Sequence, residues 1–248
     1  HLASLRAVLS WAADNDKIPE NPAARVRIDV AKKVRTRERG LNDTEASAVL
    51  KAALAYEPPA AHSPATRESA HVSAAKRWLP WLCALTGARV AEMAQLRVQD
   101  VMTRDGITFL RITPDAGSVK SGTYRDVPVH PQLVALGFLD FVKAAGAGPL
   151  FYDAAKSRKA SAQHPSKIVA ARVGTWVRSL GVIDGTVDPS HGWRHRFKTV
   201  GREMEIGDRV LDAIQGHAGR TAGDDYGDIT LKTRDAAIRR LPEYRCRT

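Results

Sequence analysis

From Leu2 to Asp14 the apolar residues Leu2, Leu5, Val8, Leu9 and Ala12 recur at helical spacing, so the chain opens on a helix. Ile18-Pro19 and Asn21-Pro22 break it. LNDTEASAVLKAAL (41–54) predicts a second helix, with Asn42 or Asp43 as N-cap and Glu45 in the first turn. KRWLPWLCAL (76–85) is apolar enough for a buried helix, with Pro80 near its start or at a kink. Between these two, EPPAAHSPATRESAH (57–71) is rich in Pro, Ala and Ser and predicts a surface loop. Alternation is clear in one region only. ITFLRITP (107–114) and YRDVPVH (124–130) flank the turn-rich DAGSVKSG and predict a β-ribbon. From 131 onward the pattern is helical, punctuated by Gly and Pro, and no internal repeat is present. The fold class expected is mainly α with one small antiparallel β-sheet (α+β).

At 248 residues the chain is long enough to bury a sizeable core. Three segments are expected. Residues 1–24 carry a helix too short to fold alone, 25–39 form a basic linker, and 40–248 form the main domain with a helical tail. The chain starts at His1 inside a helical pattern, which predicts a piece of a longer protein. No signal peptide is recognised, and Cys83 and Cys246 stand far apart outside any CxxC context. A reducing cytoplasm is therefore the expected location, without a disulfide framework or zinc site.

The formal net charge of +11 favours a polyanionic partner. Against a membrane surface, the sequence has no long apolar run and no basic amphipathic anchor. The densest basic stretch is RVRIDVAKKVRTRER (25–39), where Arg25, Arg27, Lys32, Lys33, Arg35, Arg37 and Arg39 face only Asp29 and Glu38. Such a strap neutralises phosphates and releases counterions, which points to nucleic acid.

Six polar residues then stand out by their local settings. Arg89 lies in TGARVAE near a helix start, with Glu92 three residues on to brace the guanidinium. The apolar face of that helix would be Val90, Met93, Ala94 and Leu96. Lys120 lies in the turn of the β-ribbon, with Arg125 as a rival cation. His191 and Arg194 are three apart in HGWRHRF and share a helix face, with Ser190 as a cap candidate. His217 follows AIQG, and Tyr226 comes nine residues later, with Tyr244 as its nearest competitor. His191 and His195 at i, i+4 also match a metal-ligand pair, but such a site would need a third ligand, and Gly192 stands where the zincin spacing needs Glu. No metal and no other cofactor is expected.

The strings TGARVAEMAQL, VKSGTYRDVPVHP, HGWRHRFKT and GHAGRTAGDDYG, in this order, resemble the catalytic domain of the tyrosine recombinases, the family that includes the phage integrases. The resemblance covers roughly 40–240. It implies that Arg89, Lys120, His191, Arg194, His217 and Tyr226 form the catalytic set, with His195 structural. Residues 1–24 would then be the end of a preceding core-binding domain. The implied chemistry is cleavage and rejoining of DNA through a 3′-phosphotyrosyl link on Tyr226, without metal or ATP. The implied partners are double-stranded DNA at attachment-type sites, further copies of the chain in a tetramer, and accessory DNA-bending or directionality factors. DNA contacts are expected from Lys32, Lys33, Arg35, Arg37, Arg196, Lys198 and Arg220. The tail after Tyr226 packs either on its own domain or on a neighbouring subunit. Departures from the family pattern are the long 57–71 loop, Gly192 and Trp193 inside the HxxR string, and GHAGRTAGDDYG itself. Three other readings compete: a type IB topoisomerase, a DNA-binding protein without catalysis, and a metal-dependent nuclease.

Overall fold

The computed structural model describes residues 1–28, 36–60, 62–63, 67–117, 119, 122–156, 163–217 and 227–245. The chain divides into two compact units, His1–Arg37 and Glu38–Thr248. In the first, helix α1 runs over Leu2–Asp14. The segment after it is tied back to the helix: Asn21 Nδ2 donates to Arg6 O and Ser10 Oγ, and Arg6 Nε donates to Ala23 O.

The second unit holds helices α2 (Asp43–Leu54), α3 (Ala70–Thr86), α4 (Val90–Ala94), α5 (Pro131–Ala135), α6 (Phe138–Ala144), α7 (Pro165–Ser179), α8 (His191–Glu203), α9 (Asp208–Gln215) and α10 (Leu231–Arg240). Three strands, β1 (Val101–Arg104), β2 (Ile107–Ile112) and β3 (Arg125–Pro128), form one antiparallel sheet in the order β1-β2-β3. The fold is mainly helical with a small antiparallel sheet, as the pattern predicts. Among the described residues, no helix is long and apolar enough to cross a membrane.

Local chemistry explains where these elements start. Asn42 caps α2 in a full capping box, accepting from Glu45 N while Glu45 accepts from Asn42 N, an arrangement worth about 1 kcal/mol. Helix α3 begins at Ala70 with Ser69 as its cap, so it is longer than its apolar stretch predicts. Pro80 lies inside α3 and removes one rung of the backbone ladder, at a cost of about 3 kcal/mol. Trp78, Leu79, Trp81 and Leu82 around it are all at most 3% exposed. Each such side chain contributes about 1.5–3 kcal/mol by burial, so burial wins and the helix continues.

α3 is the spine of the unit, packed against α2, α4, α7 and α8. Trp78, Phe138, Phe141 and Phe151 form an aromatic cluster at one end. Strand β1 was not expected. It forms a hairpin with β2 through Asp105 and Gly106, both at positive φ (51° and 74°) as a two-residue hairpin turn requires. β3 pairs with β2, and its Pro128 fits an edge strand, where a donor is dispensable.

The tail packs on its own domain. Ala237 and Ile238 of α10 are buried, and α10 contacts β2, β3 and α9. Beyond it, one side chain holds the main chain: Gln132 Nε2 donates to Tyr244 O at 2.8 Å, and Gln132 Oε1 accepts from Tyr244 N at 3.0 Å. His130 Nε2 lies 3.1 Å from Leu241 O. The Tyr244 ring meets Trp81 and Trp193 edge-on.

Candidate functional site

Arg89 is the N-cap residue of α4, which spans five residues and ends before Leu96. The preceding turn is set by Gly87, in the left-handed region at φ +62°. A Cβ there would lie 2.6 Å from the Phe197 ring and 2.7 Å from Gln215 Nε2, so glycine is required by space as well as by φ. Arg89 Nη1 donates to Glu92 Oε1 at 2.8 Å, and Arg89 N donates to Glu92 Oε2 at 3.2 Å.

Glu92 is 2% exposed and is shared with a second arginine. Arg125 Nη2 donates to Glu92 Oε2 at 2.5 Å, and Arg125 Nε donates to Ile214 O at 3.0 Å. Burial opposes ionisation of Glu92, but Arg125 and then Arg89 hold its carboxyl below the usual range. Arg125 is thus a buried tie between β3, α4 and the end of α9.

Arg194 projects from α8 and is 7% exposed. Its Nη1 donates to Gly87 O and Gln215 O, both at 2.8 Å, while Gln215 Nε2 returns a bond to Arg194 O at 2.8 Å. Arg194 Nη2, Arg125 Nη1 and Gln215 Oε1 are buried without a hydrogen-bond partner among the described residues. Burial, with Arg89 adding its like charge, pulls the Arg194 guanidinium down to about 10, still protonated at neutral pH.

His217 follows the left-handed Gly216 (φ +69°) that ends α9. A Cβ at Gly216 would lie 2.7 Å from Arg125 Nη1 and 2.8 Å from its Cζ. Gly216→Ala is expected to cost about 1–2 kcal/mol from φ alone, plus the displacement of Arg125, as urea unfolding would read. The His217 ring lies 2.8 Å from Asp212 Oδ1, which also accepts from Lys198 Nζ at 2.6 Å. Burial lowers the ring below its ordinary value; the Asp212 bond opposes this, and Arg194 and Lys198 add to it.

His191 stands at the first position of α8 with an exposed ring, its Nδ1 3.5 Å from Asp188 Oδ1. The helix start is not capped by Ser190. Asp188 Oδ1 instead accepts from Ser190 N at 2.8 Å and His191 N at 2.7 Å. Asp188→Ala is expected to destabilise the domain by about 1 kcal/mol, checked by thermal unfolding. His195, expected to be structural, is exposed.

Arg194, bonded to Gly87 O before α4 and Gln215 O at the end of α9, thus lies within electrostatic reach of both Arg89 and the His217 ring, with His191 one turn before it on α8. Lys120, Tyr226 and Arg220, like Lys32, Lys33 and Arg35, lie outside the described residues, and Arg37 falls in the first unit. Arg196 and Lys198 have partners within the fold. Arg196 Nε donates to Tyr244 Oη, Nη1 to Leu41 O and Nη2 to Asp43 Oδ1, so its donors clamp the fold. Lys198 is held by Asp212 and Asp208. Both cations meet neighbouring acceptors that their place in a basic string did not reveal. Asp188, Asp212 and Gln215 were missed as well, since each acts through a fold-dependent partner. Among the described residues, no three His, Cys, Asp or Glu side chains gather as a metal-ligating group.

No protein-family model matches the sequence, and no curated protein matches it. Solved structures do resemble it. The integrase from mycobacterium phage Brujita matches with a TM-score of 0.55 at 18% identity, over 100% of this chain and 72% of that one. Lambda integrase, in a tetramer bound to a Holliday junction, matches with a TM-score of 0.53 at 18% identity, over 93% of this chain and 60% of that one. XerH site-specific recombinase, in a pre-cleavage complex with difH substrate, matches with a TM-score of 0.51 at 20% identity, over 93% and 62%. The chain spans less than two thirds of the XerH and lambda integrase chains. At these identities the likeness shows the fold alone, a mainly helical architecture with a small antiparallel sheet that the chain shares with these integrase and recombinase chains.

Proposed function

We propose that this chain is the catalytic part of a tyrosine-type site-specific DNA recombinase of the integrase kind. The observation that carries the reading is Arg194: a buried guanidinium with Nη2 unmatched, beside Arg89 and His217. A buried donor left unpaired costs about 1–3 kcal/mol, a cost that an incoming phosphate oxygen would remove.

In the mechanism, Arg89 and Arg194 hold the non-bridging oxygens of a phosphodiester and stabilise the charge that builds in the pentacoordinate transition state. His191 takes the phenolic proton of Tyr226, and the phenolate oxygen attacks phosphorus. His217 donates a hydrogen bond to the phosphate. The bond from phosphorus to the 5′-oxygen breaks, and Lys120 protonates that oxygen. The product is a 3′-phosphotyrosyl link and a free 5′-hydroxyl. Attack by another 5′-hydroxyl reverses the step, so neither metal nor ATP is required.

The neighbours bound to a recombination substrate and to a Holliday junction support double-stranded DNA as partner and a tetramer as the working assembly. Accessory DNA-bending or directionality factors and a cytoplasmic location belong to the same reading. Residues 1–24 are then the end of a core-binding domain and 25–39 the linker that tracks the DNA backbone.

The test is incubation with supercoiled plasmid in EDTA, stopped with SDS. The expected result is relaxed plasmid and protein-linked DNA whose 5′-hydroxyl end accepts a label from a kinase. Binding without an adduct would leave a DNA-binding protein of this fold, and cleavage that needs added magnesium would make it a nuclease.

A further inference from the structure

The mechanism above uses the His217 ring but gives no part to the carboxylate behind it. His217 is tied to Asp212 twice. The backbone His217 N donates to Asp212 O at 2.9 Å, and the ring Nδ1 lies 2.8 Å from Asp212 Oδ1. Lys198 Nζ donates to the same Oδ1 at 2.6 Å. Burial works against a charge on Asp212, but the bonds from Lys198 and His217 hold its carboxyl below the usual range, so it is ionised at neutral pH.

An ionised carboxylate only accepts, so the proton of the ring bond sits on Nδ1. A neutral imidazole has one N–H, and Nε2 is then a lone pair. A phosphate oxygen is also an acceptor, and two acceptors do not bond. With Asp212 in place, His217 can donate to a phosphate only as the imidazolium, protonated on both nitrogens.

We propose that Asp212 is a positioning residue that holds His217 with its proton on Nδ1, and that a phosphodiester entering beside Arg194 binds together with one proton taken up at His217 Nε2. The proposal rests on the recombinase reading and refines how its site meets the phosphate. The proton comes from solvent, the ring goes from neutral to a single positive charge, Asp212 stays ionised, and no covalent bond between heavy atoms changes. The groups facing the ring are Asp212 from α9 and Arg194 and Lys198 from α8. The two cations and burial keep the ring neutral in the DNA-free protein, and an incoming phosphate reverses that balance.

Two measurements test this. Nitrogen-15 NMR of labelled histidine in the DNA-free protein, with His217 assigned by its absence in His217→Gln, reads the tautomer directly. The Nδ1–H form is expected, moving to the Nε2–H form in Asp212→Asn, whose amide can donate to Nδ1. An Nε2–H ring in the unaltered protein would overturn the positioning role without relying on any variant.

Calorimetric titration with duplex DNA in two buffers of different ionisation enthalpy reads the proton. About one proton is expected to be taken up, with affinity falling by about tenfold per pH unit where uptake is complete. Asp212→Asn is expected to bind with no proton uptake. Binding by the unaltered protein with no proton uptake sinks the coupling but leaves the recombinase reading intact. Absence of DNA binding overturns both the coupling and the recombinase reading, while the tautomer is decided separately by NMR.

Discussion

Tyr226→Phe is expected to bind DNA as the unaltered protein does and to form no covalent adduct, a loss on the order of 10⁴–10⁶-fold in strand cleavage. Phenylalanine has the same ring without the attacking oxygen, so binding is preserved and chemistry is not. The control is Tyr244→Phe. The Tyr244 ring centroid lies 6.2 Å from that of Trp81 and 6.4 Å from that of Trp193, at interplanar angles of 89° and 87°. Its hydroxyl accepts from Arg196 Nε at 3.1 Å. It is a packing residue whose hydroxyl is occupied, so Tyr244→Phe is expected to lose about 1 kcal/mol of stability and to keep its adduct. SDS gels of radiolabelled DNA read both. An adduct that survives Tyr226→Phe and disappears in Tyr244→Phe would place the nucleophile at 244.

The second large effect is on stability. Arg125→Met is expected to cost about 3–5 kcal/mol, because it leaves the Glu92 carboxylate buried with only Arg89 as a partner and frees the Ile214 carbonyl. The double variant Glu92→Met with Arg125→Met is expected to recover most of this, since both charges leave together. The pH dependence has a defined sign. Glu92 is held below its ordinary value in the fold, so its contribution is complete above the unfolded value of about 4.3 and is lost as the pH falls toward the folded value. Urea unfolding at neutral and acidic pH separates these cases. A single-variant cost below about 1 kcal/mol would show that the buried network is not a tie.

The periodic parts of the fold were legible because their signals are local. α1 and the Asn42 cap of α2 depend on residues within one turn, and the pairing of β2 with β3 follows from alternation on either side of a turn. β1 was missed even though Asp105-Gly106 is a strong hairpin signal, because its outward face is polar and Val101–Arg104 exposes most of its side chains. At the start of α8 the nearest hydroxyl is Ser190, whereas the acceptor is Asp188, two residues earlier. Arg89, His191, Arg194 and His217 were legible as candidates from their strings. What holds three of them together was not. Arg125 meets Ile214 across 89 residues and Arg194 meets Gly87 across 107, and no local pattern encodes contacts at that separation. For the same reason Arg196 and Lys198 read as free cations until their acceptors were brought beside them.

The Gln132 clasp on Tyr244 has a consequence for engineering the stretch after α10. A primary amide that pairs with both the N–H and the C=O of one residue reads the main chain, much as a neighbouring strand would, and is blind to the side chains on either side. Pro242 and Glu243 are therefore free to be exchanged, provided that Tyr244 keeps its ring between the two tryptophans. An insertion between Leu241 and Tyr244 would pull the clasp open.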